Sequence, residues 1–328
     1  EWISAFADIT DSPNREPILE RLADVSIPHQ MFSLTLRFPL FVLALLFTAI
    51  WGLACFINIS LKHDLERLLS TQQFSSVSVI AASIDQEIRI RQHTLDELAQ
   101  VIGKRTLISE PKQLDEFLHD NLAVGALFNG GLFMLDATGV GLADASEMPG
   151  RVGLNLADRD YFIAARDQRK PWIGIPVAGR LSDRPLVAMS APITDPAGPV
   201  QGVLVGITYL DAKNFIDRIV ATYGDQQGGV LIIDPNSGRF VTATDSSRTF
   251  QPIPAPGVNR MHDRYMAGFE GSGVARNSRG IEELSSSRRI AATDWFAVVV
   301  LPVAIAFAPV TAVQNTILGA ALFLSVVI

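Results

Sequence analysis

Between Arg37 and Lys62 lie 24 consecutive residues without a charge, and Phe38 to Ile59 form the apolar heart of that run. At ~1.5 Å rise per helical residue, about 20 apolar residues cross the hydrocarbon core, so this segment is long enough to span a bilayer. A signal peptide would show a shorter apolar core, a positive start and a small-residue cleavage site. Here the core is too long, and an amphipathic stretch follows it directly. A second uncharged run, Val310 to Ile328, closes the sequence, with Gln314 and Asn315 near its start. The apolar run is still in progress at residue 328, and the chain begins with Glu1 rather than Met. The sequence is therefore expected to be a piece of a longer protein whose output region lies beyond residue 328. Charge leaves the orientation nearly undecided: Arg15, Arg21 and Arg37 precede the first run, and Lys62 and Arg67 follow it.

These two runs hold the apolar excess behind the mean hydropathy of +0.26. Residues 60–308 between them carry 24 basic and 28 acidic side chains, an ordinary soluble composition. An apolar fraction of 48% argues against a mainly disordered chain. A net charge of −7 argues against a nucleic-acid partner, which needs a basic surface to meet phosphates. The lone Cys55 excludes an intrachain disulfide and a multi-cysteine metal site. A cysteine-free middle is compatible with an oxidising compartment. His63, His93, His119 and His262 show no ligand spacing, so neither a metal nor a cofactor is expected. No nucleophile elbow, phosphate loop, zincin or calcium-loop motif is present, and no chemistry is expected within these residues.

Residues 61 to about 102 read as one long helix. Leu61, Leu65, Leu68, Gln72, Ser75, Val79 and Ala82 fall at spacings of three and four, and Ile84, Ile88, Leu95, Leu98 and Val101 continue a similar stripe. Two readings stand: a dimer-forming signalling helix, or a helix packed on sheets behind it. Pro111 opens a shorter helix. Beyond it an internal repeat appears. Gly130-Gly-Leu-Phe-Met-Leu-Asp136, a Thr-Gly turn and Val140–Asp144 are echoed by Gly228-Gly-Val-Leu-Ile-Ile-Asp234, a Pro-Asn-Ser-Gly turn and Arg239–Asp245. Each unit reads as a hairpin and closes with a second apolar pair of strands. These closing pairs are Leu186–Ile193 with Val200–Leu210, turning at Asp195–Gly198, and Leu284–Ala291 with Trp295–Leu301. Two antiparallel sheets of about five strands follow, joined by a helical connector at Phe215–Tyr223. Gly268–Gly273 reads as a turn-rich loop.

At this point the chain resembles the extracytoplasmic double Cache (tandem PAS-like) sensors of bacterial signalling proteins. The resemblance rests on Asp158-Arg-Asp-Tyr-Phe162, Pro171-Trp-Ile-Gly-Ile-Pro176, Met189-Ser-Ala-Pro-Ile193 and Gly202–Leu210. In the second unit it rests on Gly268–Gly273 and Arg288–Phe296, which look like the variety found ahead of GGDEF diguanylate cyclase outputs. It implies an α+β fold, a long N-terminal helix plus two PAS-like modules with antiparallel sheets, flanked by two transmembrane helices. It also implies that the membrane-distal module holds the ligand and the second module couples to the returning helix. In the amino-acid-binding branch, an Arg-x-aromatic-aromatic run grips a carboxylate, and later Tyr and Asp residues hold the amino group. Arg159, Tyr161 and Phe162 match the first part. Val177 and Gly179 stand where the next Tyr and Asp would be, and Ile207 replaces the final Asp. That departure speaks against an ordinary amino-acid ligand.

Residues 151–184 carry seven basic side chains, Arg151, Arg159, Arg166, Arg169, Lys170, Arg180 and Arg184, against Asp158, Asp160, Asp167 and Asp183. A local basic excess favours an anion, and Arg offers a planar fork suited to carboxylate. The alternative is that these arginines form a solvated face or pair with neighbouring aspartates. Asp158 is expected to N-cap the helix that runs through Arg166. The candidate ligand-binding set is Arg159, Asp160, Tyr161, Phe162, Trp172, Arg180 and Met189, with no catalytic residue.

The expected organisation follows. Residues 1–37 form a cytoplasmic leader and 38–59 the first span. A stalk helix over 60–105 serves as the homodimer contact. A membrane-distal module covers 106–225, a membrane-proximal module 226–308, and the second span begins at 309. The reading is a sensor input of a bacterial inner-membrane receptor, with residues 60–308 periplasmic. It takes a small-molecule ligand, a carboxylate or similar anion, and drives a diguanylate cyclase. A histidine kinase or chemoreceptor input is the alternative, and a ligand-free interaction scaffold or an extracytoplasmic enzyme are rivals of other classes.

Overall fold

A single helix, α1 (His29–Lys104), opens the computed structural model, which describes residues 29–146, 150–194, 198–224 and 228–327. Residues 1–28 of the expected leader, most of the turn at Asp195–Gly198 and Ile328 lie outside the described residues. The chain divides into two compact units, Lys62–Pro309 and the pair of segments Glu1–Leu61 and Val310–Ile328.

In the larger unit α1 buries Val77, Ile80, Ala81, Ile84, Ile88, Leu95, Leu98, Ala99 and Ile102, a continuous stripe at helical spacing. The first half of the expected stripe is instead an exposed face, with Leu68 63% and Val79 47% accessible. Both faces have helical periodicity, and the sheets take the one richer in isoleucine. Polar groups fix the register. Gln73 donates to the Leu284 carbonyl at 3.3 Å and accepts from Ser286 Oγ at 3.2 Å. Arg91, 2% exposed, donates to the carbonyls of Leu127 (3.1 Å) and Glu87 (3.0 Å) and lies 3.9 Å over the Phe215 ring.

Pro111 occupies the first turn of α2 (Pro111–Asp120), where its missing N–H is no loss. The first sheet contains β1 (Leu132–Asp136), β2 (Gly141–Ala145), β3 (Trp172–Ile173), β4 (Val177–Ala178), β5 (Pro185–Thr194) and β6 (Val200–Tyr209). Its order is β2-β1-β6-β5-β3, with β4 also on β5, and every pairing is antiparallel. Helix α3 (Asp160–Gln168) connects β2 to β3, and α4 (Phe215–Gly224) is the connector expected at Phe215–Tyr223. The second sheet repeats the plan with β7 (Gly229–Asp234), β8 (Arg239–Ala243), β9 (Gly271–Arg276), β10 (Glu282–Arg289) and β11 (Phe296–Pro302). Its order is β8-β7-β11-β10-β9, and α5 (Arg260–Met266) lies between β8 and β9.

The sequence repeat is thus a structural repeat. Asp136 Oδ1 accepts from the N–H groups of Thr138 (2.8 Å) and Val140 (2.9 Å), and Asp234 accepts from Asn236 (3.2 Å) and Ser237 (3.0 Å). Both are Asx turns that reverse the chain into the next strand. Gly268–Gly273, expected as a loop, runs into β9. A side chain at Gly273 would meet the Met261 sulfur, which explains a glycine inside that strand. The first sheet has six strands rather than five because β3 and β4, two residues each, both dock on β5.

Both sheets are apolar on two faces. Met134, Val187, Met189, Ala191 and Leu204 pack on α1 with Val230, Ile232 and Ala297 of the second sheet. The alternate residues Phe133, Leu135, Ala188, Val203 and Val205 pack under α3, and Leu231, Ile233, Phe296 and Val298 pack under α5. Each sheet is therefore covered by the long helix on one side and by its own short helix on the other.

In the smaller unit, the apolar part of α1 accompanies α6 (Ala308–Val327), and both are long and apolar enough to cross a membrane. Trp51 Nε1 donates to Ser325 Oγ at 3.0 Å.

Candidate functional site

A cleft opens on the α3 side of the first sheet. It offers about 40 Å³ to the centre of a water-sized molecule, where a single water needs roughly 10–15 Å³. Its floor is Phe133 and Ile207 from β1 and β6, and its walls are Leu154, Leu156, Leu186 and the β4 segment Val177–Gly179. The polar groups facing it are Arg151, Arg159, Tyr161, Arg180, Ser182 and Tyr209. Among the described residues, three arginines and no carboxylate line the cleft.

Arg159 holds the N-cap position of α3, with φ −77 and ψ 135 and no side-chain capping bond. Its backbone therefore starts the helix while its side chain reaches away. Arg159 Nη2 donates to the Ala178 carbonyl at 3.2 Å, and no carboxylate pairs with it among the described residues. The expected cap, Asp158, lies one residue too early and instead accepts from Arg180 Nη2 at 2.6 Å. That bond holds the Asp158 carboxyl below the usual carboxylate range. Arg180 also donates to the Asn155 carbonyl at 2.6 Å, which ties the β4 side of the cleft to the loop before α3.

Arg151 is the residue that sequence reasoning missed. It is 6% exposed. Its Nη1 pairs with Asp144 Oδ1 at 2.9 Å, and its Nη2 donates to Tyr209 Oη at 3.1 Å and to the Gly130 carbonyl at 3.3 Å. Its guanidinium lies 5.1 Å from the Phe133 ring centroid. The loop carrying it is pinned on β2 by Gly141 N–H to Leu154 O (3.0 Å) and Gly153 N–H to Gly141 O (2.8 Å). A side chain at Gly141 would strike the Arg151 carbonyl, so only glycine permits this approach. One signal was legible: Asp144 closes the first hairpin of the repeat, and Arg151 stands in a Gly-Arg-x-Gly loop just beyond it.

Tyr161 is 3% exposed and lines the cleft, and its hydroxyl has no hydrogen-bond partner among the described residues. Burial pushes its phenol far above the ordinary value, so it stays a neutral donor.

Of the seven candidates, the structure brings Arg159, Tyr161 and Arg180 to the cleft and places four elsewhere. Phe162 is fully buried in the layer between α3 and the sheet. Met189 faces α1 from the opposite side of β5, because strand parity turns Ala188 and Ser190 toward α3. Asp160 accepts from Ile175 N–H at 2.8 Å, one turn position away from Arg159 and Tyr161. Asp160 and Trp172 line a separate, wide groove facing Asp234, Arg289 and Asp294 of the second sheet. Val177, Gly179 and Ile207, which replace the family's amino-group ligands, do line the cleft.

The basic excess of residues 151–184 is largely internally paired. Arg151, Arg166, Arg180 and Arg184 bind Asp144, Asp167, Asp158 and Asp211 at 2.6–2.9 Å. Arg159 is the cleft arginine left without a carboxylate.

Two PAS-like modules strung on one long helix, the first with a cleft on its α3 side, define a tandem sensor-type fold of the double Cache kind. The chain belongs to the Cache domain family dCache_1, whose model matches residues 60–310. Among curated proteins it is 25% identical over 162 residues to sporulation kinase D of Bacillus subtilis (strain 168), covering 49% of this chain and 27% of that protein. Among solved structures it is similar to the extracellular domain of the putative histidine kinase rpHK1S-Z16, with TM-score 0.58 and 17% identity over 72% of this chain and 95% of that one. It is likewise similar to the ligand-binding domain of the Campylobacter jejuni chemoreceptor Tlp3 in complex with L-valine, with TM-score 0.57 and 15% identity over 75% and 97%.

Proposed function

We propose that the first module senses a small carboxylate lacking an amino group, gripped by Arg159 and Tyr161. One observation carries this reading: among the described residues the cleft is lined by arginines and no acid, and Arg159 alone among those arginines has no carboxylate partner. Arginine presents a planar fork to a carboxylate, and the neutral Tyr161 hydroxyl adds a donor. An ammonium group would find no counter-charge at Val177, Gly179 or Ile207. The ligand acts by binding one arrangement of the module better than another, since only differential affinity shifts an equilibrium. A thermal-shift screen of carboxylates, purines and polyamines tests the reading, because ligands that bind only the folded chain raise its midpoint. Stabilisation by carboxylates alone supports it. Stabilisation by polyamines or purines alone overturns it in favour of another ligand class, and stabilisation by nothing overturns it in favour of a ligand-free scaffold.

The apolar segments at 38–59 and 310–327 are the proposed spans, and residues 60–308 are proposed to lie on the periplasmic side of a bacterial inner membrane. The exposed face of α1 is the proposed homodimer contact. Leu68, Val79 and Ile90 recur there every eleven residues and are 63%, 47% and 44% exposed. An eleven-residue period keeps one side of nearly straight helices in register. The proposed output is a diguanylate cyclase. A kinase output is the second reading, favoured by the likeness to sporulation kinase D. Measuring cyclic di-GMP and phosphohistidine in membranes of cells expressing the whole protein separates the two.

A further inference from the structure

The second module carries a cleft of its own on the α5 side of its sheet, and it is not a degenerate copy of the first. It offers about 50 Å³ to the centre of a water-sized molecule, a little more than the first-module cleft. Leu231, Ile233, Phe240 and Val298 make its apolar floor.

Two polar side chains in this cleft lack hydrogen-bond partners among the described residues. His262 is 8% exposed, and its buried Nε2 has none there. Its position is built rather than incidental, because Asn259 Oδ1 caps α5 by accepting from the N–H groups of Met261 (3.0 Å) and His262 (3.1 Å). An orphaned buried polar atom is costly to keep from water and calls for an explanation. Arg248 is half-buried with its guanidinium 4.4 Å from the Phe240 ring centroid, and it makes no side-chain hydrogen bond or ion pair among the described residues. The one acid lining the cleft, Glu283, accepts from Asn277 Nδ2 at 2.6 Å, and Arg279 at the rim is paired with Asp245 at 3.4 Å, which leaves Arg248 as the cleft's unpaired cation among the described residues. By contrast Tyr265 is satisfied, its hydroxyl 2.9 Å from Ser285 Oγ.

We propose that the membrane-proximal module is a second, independent anion site, which takes a carboxylate of two or three carbons. The carboxylate oxygens sit between the Arg248 guanidinium and the His262 Nε2–H, and the alkyl end lies on Leu231, Ile233 and Val298. Each orphan group gains a partner, and the alkyl end fits the apolar floor that a phosphate or sulfate would leave unfilled. Burial supports this separately: it holds His262 neutral, and it disfavours the charged form of Arg248 until an anion arrives.

Acetate is the probe. The full chain in nanodiscs is titrated with sodium acetate at constant ionic strength, by calorimetry and by line broadening of ¹³C-acetate. The expected result is that Arg159→Gln retains acetate binding and that adding Arg248→Gln weakens the remaining binding at least tenfold. Ala275→Leu, which fills the cleft from β9 and deletes no polar group, has the same effect, and it decides the matter should Arg248→Gln lower the melting midpoint. Acetate binding unchanged by both second-module substitutions, or no acetate binding to Arg159→Gln, overturns the proposal. Failure of Arg159→Gln to alter any binding overturns the first-module reading alone.

Discussion

Arg159 Nη2 meets the Ala178 carbonyl 3.2 Å away, across the mouth of the first-module cleft. This contact joins the start of α3 to the two-residue strand β4, and it is the only hydrogen bond that the Arg159 side chain makes among the described residues. A half-buried arginine held by one neutral carbonyl keeps most of its donors for something else.

Arg159→Gln is accordingly expected to weaken carboxylate binding at least tenfold while leaving the melting midpoint within about 2 °C. A charge-assisted hydrogen bond is worth about 1.5–3 kcal/mol, whereas the native contact it replaces is a single exchangeable one. A large loss of stability, read by differential scanning fluorimetry, would show that the arginine is structural.

Arg151 behaves oppositely. Its pair with Asp144 is buried on both sides, with side-chain exposures of 7% and 3%. Removing one partner strands the other, so Arg151→Met is expected to cost about 3–5 kcal/mol in urea denaturation. The double variant Arg151→Met with Asp144→Asn recovers part of that loss. A single variant as stable as the parent contradicts the assignment.

The contrast between these two arginines shows what the sequence made legible. The repeat, the long helix and the hairpins could be read because Asp136 and Asp234 close similar strands and the turn chemistry follows them. Arg159 and Tyr161 could be placed by the motif that holds them, and Arg180 by the basic run of residues 151–184. Met189 could not, because a strand apolar on both faces gives no parity signal. Asp160 and Phe162 neighbour Arg159 and Tyr161 in sequence, yet a helix turns each by about 100° onto a different face. Arg151 stands in the basic run but outside the candidate set, because its partners, Asp144, Gly130 and Tyr209, lie 7, 21 and 58 positions away.

The exposed and buried faces of α1 give a direct test of association. Val79 is 47% exposed, and Ile84 is fully buried against the sheets. Val79→Cys is expected to yield disulfide-linked dimers in oxidised membranes, and Ile84→Cys is not. Equal cross-linking at both positions, or none at Val79, removes the dimer proposal. Ile84→Ala should also cost about 2–5 kcal/mol, as truncation in a packed core does.

His262 sets a pH dependence. Burial, with Arg248 adding to it and Asp263 opposing it, lowers its folded-state pKa. The unfolded chain therefore binds the proton first as pH falls below about 6.5. The stability that His262 allows is complete above that value and is lost progressively as pH falls toward the folded value. Melting midpoints measured from pH 7.5 down to 5 without added carboxylate should decline, and His262→Gln should flatten the decline. An unchanged slope in the variant would place the effect elsewhere.

The central claim is that the first-module cleft binds a carboxylate through Arg159 and rejects an ammonium group. It is tested most directly by calorimetric titration of the full chain in nanodiscs with paired compounds, each a short 2-hydroxy or 2-oxo acid and its 2-amino counterpart. The acids are expected to bind, their amino counterparts to bind at least tenfold more weakly, and Arg159→Gln to abolish the difference. Preferred binding of the amino acids, unaffected by Arg159→Gln, would contradict it.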